Sequence, residues 1–214
     1  MKVIISAGGT GGHIYPALAI INKIKEIEPK SEFLYIGTDN RMEKDLIPSF
    51  NIPYVSLHVT GFDRKHLLNN FKTLSNFLKA KSKCKKIIKE FNPDVVIGCG
   101  GYVTAPVIST AHSLGIKTLI HEQNSVVGLA NKFLSRYATK VGVSFESTIK
   151  DFPKSKAILT GNPCSEKAIS LPSAKKEEYK LSKNKKLVLI VMGSLGSRTI
   201  NDMIYKNLSL FNGE

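Results

Sequence analysis

The chain has 214 residues, 42% of them hydrophobic and 22% charged, with a formal net charge of +14. That composition is enough to bury a sizeable core, and it excludes a disordered or collagen-like polymer. No apolar run approaches the roughly 18–20 residues that a membrane span needs, and three widely spaced cysteines, Cys84, Cys99 and Cys164, fit neither a disulfide framework nor a zinc site.

Val3–Ser6 is the first predicted strand. It follows Met1 and Lys2 without the longer apolar stretch and cleavage site of a secretory signal, so the chain reads as cytosolic. Further strands are predicted at Phe33–Ile36, Tyr54–Leu57, Val95–Gly98, Thr118–His121, Lys140–Ser144 and Ala157–Leu159. They alternate with helices at about Pro16–Ile27, Met42–Ile47, Leu67–Phe91, Val103–Ser113 and Val127–Tyr137. Alternation of this kind is the signature of parallel βαβ units, and continuously apolar strands fit burial on both faces. The expected fold class is α/β, a doubly wound Rossmann-like parallel sheet over residues 1–161.

Residues 162–186, polar, rich in Lys and Ser and holding Pro163 and Pro172, read as a linker. Over 187–214 a strand at Leu187–Met192, the turn Gly193-Ser194-Leu195-Gly196 and a helical pattern to about Leu208 read as the incomplete start of a second Rossmann-like domain. One strand and one helix cannot bury a core alone. Either the chain is a fragment or a partner supplies the rest.

Three polar or glycine-rich segments sit at strand ends. Gly8-Gly9-Thr10-Gly11-Gly12-His13 lies between a strand and a helix, where backbone N–H groups and a helix N-terminus form an anion site. It lacks the Gly-Lys-Ser/Thr of a P-loop, and Ile14 stands where G-x-G-x-x-G would require glycine. Gly98-Cys99-Gly100-Gly101-Tyr102 is a second such turn, and two of them can border one crevice at the carboxyl ends of the strands. A diphosphate-bearing substrate spanning both is the natural ligand. The third segment, His121-Glu122-Gln123-Asn124, suits hydrogen bonding to a sugar or phosphate; helix capping by Asn124 or Ser125 is the competing reading.

Taken in order, Gly8 to Ala17, Gly100-Gly101-Tyr102 with Pro106, His121 to Asn124 with Gly128 and Asn131, Gly161-Asn162-Pro163, and Gly193 to Gly196 with Asn201 resemble the motif set of the MurG family of peptidoglycan N-acetylglucosaminyltransferases, in glycosyltransferase family 28. The resemblance runs from Met1 to about Leu208 and covers a little over half of a full family member. It implies a GT-B fold and metal-independent inverting transfer, without a cofactor, of N-acetylglucosamine from UDP-N-acetylglucosamine to the muramyl hydroxyl of undecaprenyl-linked lipid I, giving lipid II. On this reading the first domain binds the acceptor, and the second binds the donor.

The resemblance also implies roles. His13 stands at the family's histidine position and is the candidate base, imidazole being suited to proton transfer near neutral pH; helix capping or phosphate positioning is its plainer alternative. Glu122 is the second candidate base, or orients the sugar. Thr10, Gly11, Gly12, Asn124 and Ser194 match donor or diphosphate contacts, while Gly100, Gly101, Tyr102, His121 and Gln123 are placed on the acceptor side; no metal ligands are expected. Cys164-Ser165 replaces the arginine that some members carry after Gly-Asn-Pro, and the later donor-side acidic residue and glutamines are absent. The chain alone is therefore expected to bind the donor weakly, with self-association or a donor-domain partner completing the site. A non-catalytic, membrane-associated acceptor-binding subunit is the alternative.

Between Arg64 and Lys89 there are nine Lys or Arg and no Asp or Glu, interleaved with Leu67, Phe71, Leu74 and Leu78 on one helical face. Such a segment suits an anionic bilayer, where each basic residue adds on the order of 1 kcal/mol; packing of the apolar stripe on the sheet, with solvated lysines, is the competing reading. The expected location is cytoplasmic and peripheral, on the inner face of the plasma membrane. Nucleic-acid binding rests on charge alone, with no accompanying motif. An NAD(P)-dependent oxidoreductase is disfavoured by the failed glycine fingerprint, although Asp39 stands near the position of a ribose-binding acid.

Overall fold

The computed structural model describes residues 1–61, 70–182, 184, 186–193 and 196–211. It divides into two compact units, Met1–Ile169 and Ser170–Glu214. The first contains a seven-stranded, all-parallel sheet of order β3-β2-β1-β4-β5-β6-β7. Its strands are β1 (Lys2–Ser6), β2 (Glu32–Thr38), β3 (Tyr54–Leu57), β4 (Val95–Gly98), β5 (Lys117–Glu122), β6 (Lys140–Val143) and β7 (Ala157–Leu159). Helices α1 (Gly11–Ile27), α2 (Glu43–Leu46), α3 (Asn70–Phe91), α4 (Thr104–Ser113) and α5 (Leu129–Leu134) connect them.

The alternation of side chains along β1 shows why both faces must be covered. Val3, Ile5 and Ala7 pack with Ile14, Ala17, Leu18 and Ile21 of α1, whereas Ile4 points into the opposite core with Ala80, Cys84 and Ile88 of α3 and Val107, Ile108 and Ala111 of α4. Strands buried on both sides read as apolar runs, which is how the sequence revealed them. Right-handed crossovers place α1 and α4 on opposite faces because the chain winds outward from β1 in one direction and from β4 in the other. That reversal between β1 and β4 makes a switch point, where Ser6 is in register with Gly98 and the two following loops diverge.

Several boundaries differ from expectation. The first helix begins at Gly11 rather than Pro16, because the glycine run itself forms the opening turn; Pro16 is accommodated inside the helix. α3 is seen from Asn70, and the part of the predicted helix at 67–69 lies outside the described residues. The first unit takes in most of α6 (Ser165–Ser170), whose Glu166 pairs with Lys23.

In the second unit the predicted helix is present as α7 (Arg198–Lys206), capped by Ser197, whose hydroxyl accepts from the Ile200 N–H. The predicted strand at Leu187–Met192 is corrected: these residues form neither strand nor helix, and Leu187, Val188, Leu189 and Val191 are exposed. A parallel strand persists only where neighbouring strands take up its N–H and C=O groups. No strand is found among the described residues of this unit.

Candidate functional site

The loops after β1, β2, β3, β4 and β5 all open at the carboxyl edge of the sheet and surround one cavity of about 590 Å3. Thr10, His13, Gly100, Gly101, Tyr102, Glu122 and Asn124, singled out from the sequence, line it. His121 and Gln123 do not line it, and Ser194 lies outside the described residues. Gly11 and Gly12 form the first turn of α1 just beyond the wall.

The two glycine loops touch at the switch point. The Gly8 N–H donates to the Gly100 carbonyl at 3.2 Å, and Gly101, at φ +89°, presses so closely that a Cβ there would stand 2.4 Å from the Gly8 carbonyl oxygen. A Cβ on Gly100 would meet the His13 ring at 2.5 Å. Glycine is needed here by contact as well as by backbone conformation.

Thr10 is the N-cap residue of α1, yet its side chain makes no capping hydrogen bond. The N–H groups of Thr10, Gly11 and Gly12 make no hydrogen bond among the described residues, as the first donors of a helix do unless something caps them. Unpaired N–H groups of this kind, with the positive end of the helix dipole behind them, are suited to an anion.

His13 rests on Gly100, half-buried, with Nδ1 3.1 Å from the Gly8 carbonyl oxygen. A carbonyl can only accept, so Nδ1 carries the hydrogen in the neutral ring and Nε2 keeps its lone pair. Nε2 makes no hydrogen bond among the described residues.

Glu122 is 1% exposed and fully engaged. Oε1 accepts from the Asn124 backbone N–H and side-chain amide at 3.0 and 2.9 Å, and Oε2 from the Gly128 N–H and Asn131 Nδ2 at 2.9 and 3.0 Å. Four N–H donors fold the 123–128 loop around the carboxylate. His121 is a strut behind this loop: its Nε2 lies 3.1 Å from the Gly161 carbonyl oxygen and 3.1 Å from Thr160 Oγ1, and its Nδ1 lies 3.2 Å from the Gln123 amide nitrogen. Burial holds its pKa below the ordinary histidine value.

Glu43 escaped the sequence reading. It is 0% exposed; Oε1 accepts from the Thr38 N–H and hydroxyl at 3.1 and 2.6 Å, and Oε2 from the Gly9 N–H at 3.2 Å. The signal was available, since the run Asp39-Asn40-Arg41-Met42-Glu43 follows the carboxyl end of β2 and ligands of open α/β sheets gather at such ends. Asn40 and Arg41 also line the cavity. Cys99, in the second glycine loop, is fully buried, and burial pushes its thiol up to about 12, so it packs as a neutral group. Among the described residues no cluster of three His, Cys, Asp or Glu could hold a metal ion.

A second cavity, of about 640 Å3, adjoins the first through Thr60, Tyr102, Leu129 and Ala130 and continues along Leu74, Phe77 and Phe133. α3 packs on the sheet side through Ala80, Cys84 and Ile88, whereas Phe71, Leu74 and Leu78 are 75%, 57% and 59% exposed. Among the described residues no helix is long and apolar enough to cross a membrane.

Residues 3–143 match the model of the glycosyltransferase family 28 N-terminal domain. The chain is 50% identical over 212 residues to UDP-N-acetylglucosamine--N-acetylmuramyl-(pentapeptide) pyrophosphoryl-undecaprenol N-acetylglucosamine transferase 1 of Bacillus cereus, covering 99% of this chain and 58% of that protein. The Bacillus cytotoxicus transferase of the same description is 49% identical with the same coverage. The crystal structure of Acinetobacter baumannii MurG superposes with a TM-score of 0.74 at 30% identity, over 99% of this chain and 58% of that one. The UDP-GlcNAc 2-epimerase of Methanocaldococcus jannaschii, at 18% identity and a TM-score of 0.58, shares the fold. The chain thus spans about 58% of the length of the relatives it matches.

Proposed function

Because the chain belongs to glycosyltransferase family 28, we propose that it forms the acceptor side of an inverting transferase that moves N-acetylglucosamine from UDP-N-acetylglucosamine to the muramyl hydroxyl of lipid I, giving lipid II. The observation that carries this reading is the cavity at the switch point, whose wall holds both glycine loops together with Thr10 and His13 at the start of α1. In this mechanism His13 Nε2 takes the proton of the acceptor hydroxyl. The hydroxyl oxygen bonds to the anomeric carbon as the bond to the UDP β-phosphate oxygen breaks, and UDP leaves with inversion. Glu122, its lone pairs occupied by four N–H groups, shapes the sugar-binding loop that presents Asn124; this favours His13 over Glu122 as the base.

On the same reading residues 1–161 are the acceptor domain, 162–186 the linker and 187–214 the start of the donor domain. Transfer needs no metal in this scheme, since helix N-termini and glycine loops stabilise the departing diphosphate. The outward Phe71, Leu74 and Leu78 and the lysines of α3 support peripheral binding to the inner face of the plasma membrane, with the second cavity beside them taking apolar parts of the acceptor. Lys79, Lys85 and Lys89 changed to Glu should weaken binding to anionic vesicles; unchanged binding removes the membrane assignment.

The test of function is transfer of labelled N-acetylglucosamine to a soluble lipid I analogue, with binding of each substrate measured in parallel. Acceptor binding without transfer supports an acceptor half, and transfer by the chain alone shows that these residues hold a working donor site, through self-association or within one copy. Binding of neither substrate rejects the assignment.

A further inference from the structure

Arg41 is the only Lys or Arg lining the cavity among the described residues, and it makes no ion pair there. An exposed arginine is ordinarily solvated and interchangeable. This one sits in a short loop that is tied down on both sides. Upstream, Thr38 donates through its N–H and its hydroxyl to Glu43; downstream, Glu43 is buried and receives the Gly9 N–H, and the Lys44 N–H closes a turn on the Arg41 carbonyl at 3.0 Å. One carboxylate therefore fixes the backbone around Arg41 to the same glycine loop that presents the Thr10, Gly11 and Gly12 N–H groups.

The charge balance of the cavity gives that placement a purpose. Glu43 and Glu122 set two carboxylates in or beside the wall. A diphosphate entering there meets neutral N–H donors and two negative groups, so without a cation its binding is opposed. A guanidinium offers a planar pair of donors matched to phosphate oxygens. We propose that Arg41 is the cationic clamp for the diphosphate of a ligand seated on the first glycine loop, a role that rests on the reading of the cavity given above.

Calorimetric titration of the 214-residue chain and its R41A and R41K variants tests this, each checked for an unchanged melting profile. The probes are a soluble lipid I analogue, its monophosphate counterpart, UDP-N-acetylglucosamine and inorganic pyrophosphate, at low and high salt. R41A should lose about 10- to 100-fold in affinity for a diphosphate probe, the range of a charge-assisted hydrogen bond. The monophosphate should lose less than about threefold, R41K should recover only part, and the salt dependence should flatten in R41A. Loss confined to the lipid I analogue and pyrophosphate assigns the clamp to the acceptor; loss confined to the nucleotide sugar and pyrophosphate assigns it to the donor. Arg41-dependent pyrophosphate binding without binding of the lipid I analogue keeps the clamp and rejects the acceptor reading. Equal losses on mono- and diphosphate, unchanged affinity for every diphosphate probe, or no diphosphate binding by the unmodified chain would overturn the proposal.

Discussion

The Nδ1 atom of His13 lies 3.1 Å from the carbonyl oxygen of Gly8, and that contact selects the ring tautomer. Gly8 is itself held by the Gly100 carbonyl through its N–H, so the imidazole is oriented by the seam between two loops. His13→Ala should leave affinity for the lipid I analogue within about threefold and lower transfer by about 10²–10⁴-fold, the usual range for a general base. Turnover is to be measured in a preparation competent for transfer, with a donor half supplied if required. A loss below tenfold assigns His13 to positioning.

Glu122→Gln separates scaffold from catalyst at the other candidate. Glutamine keeps one oxygen and turns an NH2 group toward N–H donors that the carboxylate had accepted, leaving buried groups unpaired. Stability should fall by about 1–3 kcal/mol, read as a shift in the urea midpoint, together with faster amide exchange at Gly128. Unchanged stability with a large loss of turnover would return Glu122 to the role of base.

Two glycine substitutions measure the loop seam. Gly115, at φ +75°, has nothing within 4 Å of the point where a Cβ would stand, whereas a Cβ on Gly101, at φ +89°, collides with the Gly8 carbonyl. Gly115→Ala should cost only the left-handed backbone penalty, about 1–2 kcal/mol. Gly101→Ala should cost more and should also weaken acceptor binding, because it pushes the two glycine loops apart.

Stability should depend on pH through His121. Burial lowers its folded pKa, while the unfolded chain titrates near the ordinary value of about 6.5. Between the two values the unfolded state holds the extra proton, so stability is full above about pH 6.5 and falls as pH drops through that window, by at most about 1.4 kcal/mol per unit. Urea midpoints from pH 7.5 to 5.5 should show this slope, and His121→Gln should flatten it.

The strands at Tyr54–Leu57, Val95–Gly98 and Ala157–Leu159 were legible in the sequence to the residue, because each is a short run rich in β-branched, aromatic or other apolar residues. Leu187–Met192 has the same local signature and forms no strand, since pairing is a property of neighbours that a local pattern does not encode. The site divides in the same way. Glycine loops announce themselves by composition, whereas Glu43 acts through Gly9 and Thr38, of which Gly9 is 34 positions away, and a lone acid at a helix start looks like an ordinary first-turn residue. His121 was found as part of a polar run, but its partners at Thr160 and Gly161 place it behind the wall.

The register of Ser6 against Gly98 ties the cavity to the order in which the protein can fold. β1 and β4 are adjacent in the sheet but separated along the chain by β2, β3, α1, α2 and α3, and such non-local parallel pairing is slow to form. A species that had assembled only β1 to β3 would carry the first glycine loop without the second. Ligand binding at this seam would then report on completed folding of the first unit, and a ligand present during refolding would stabilise only chains in which that long-range pairing had already closed.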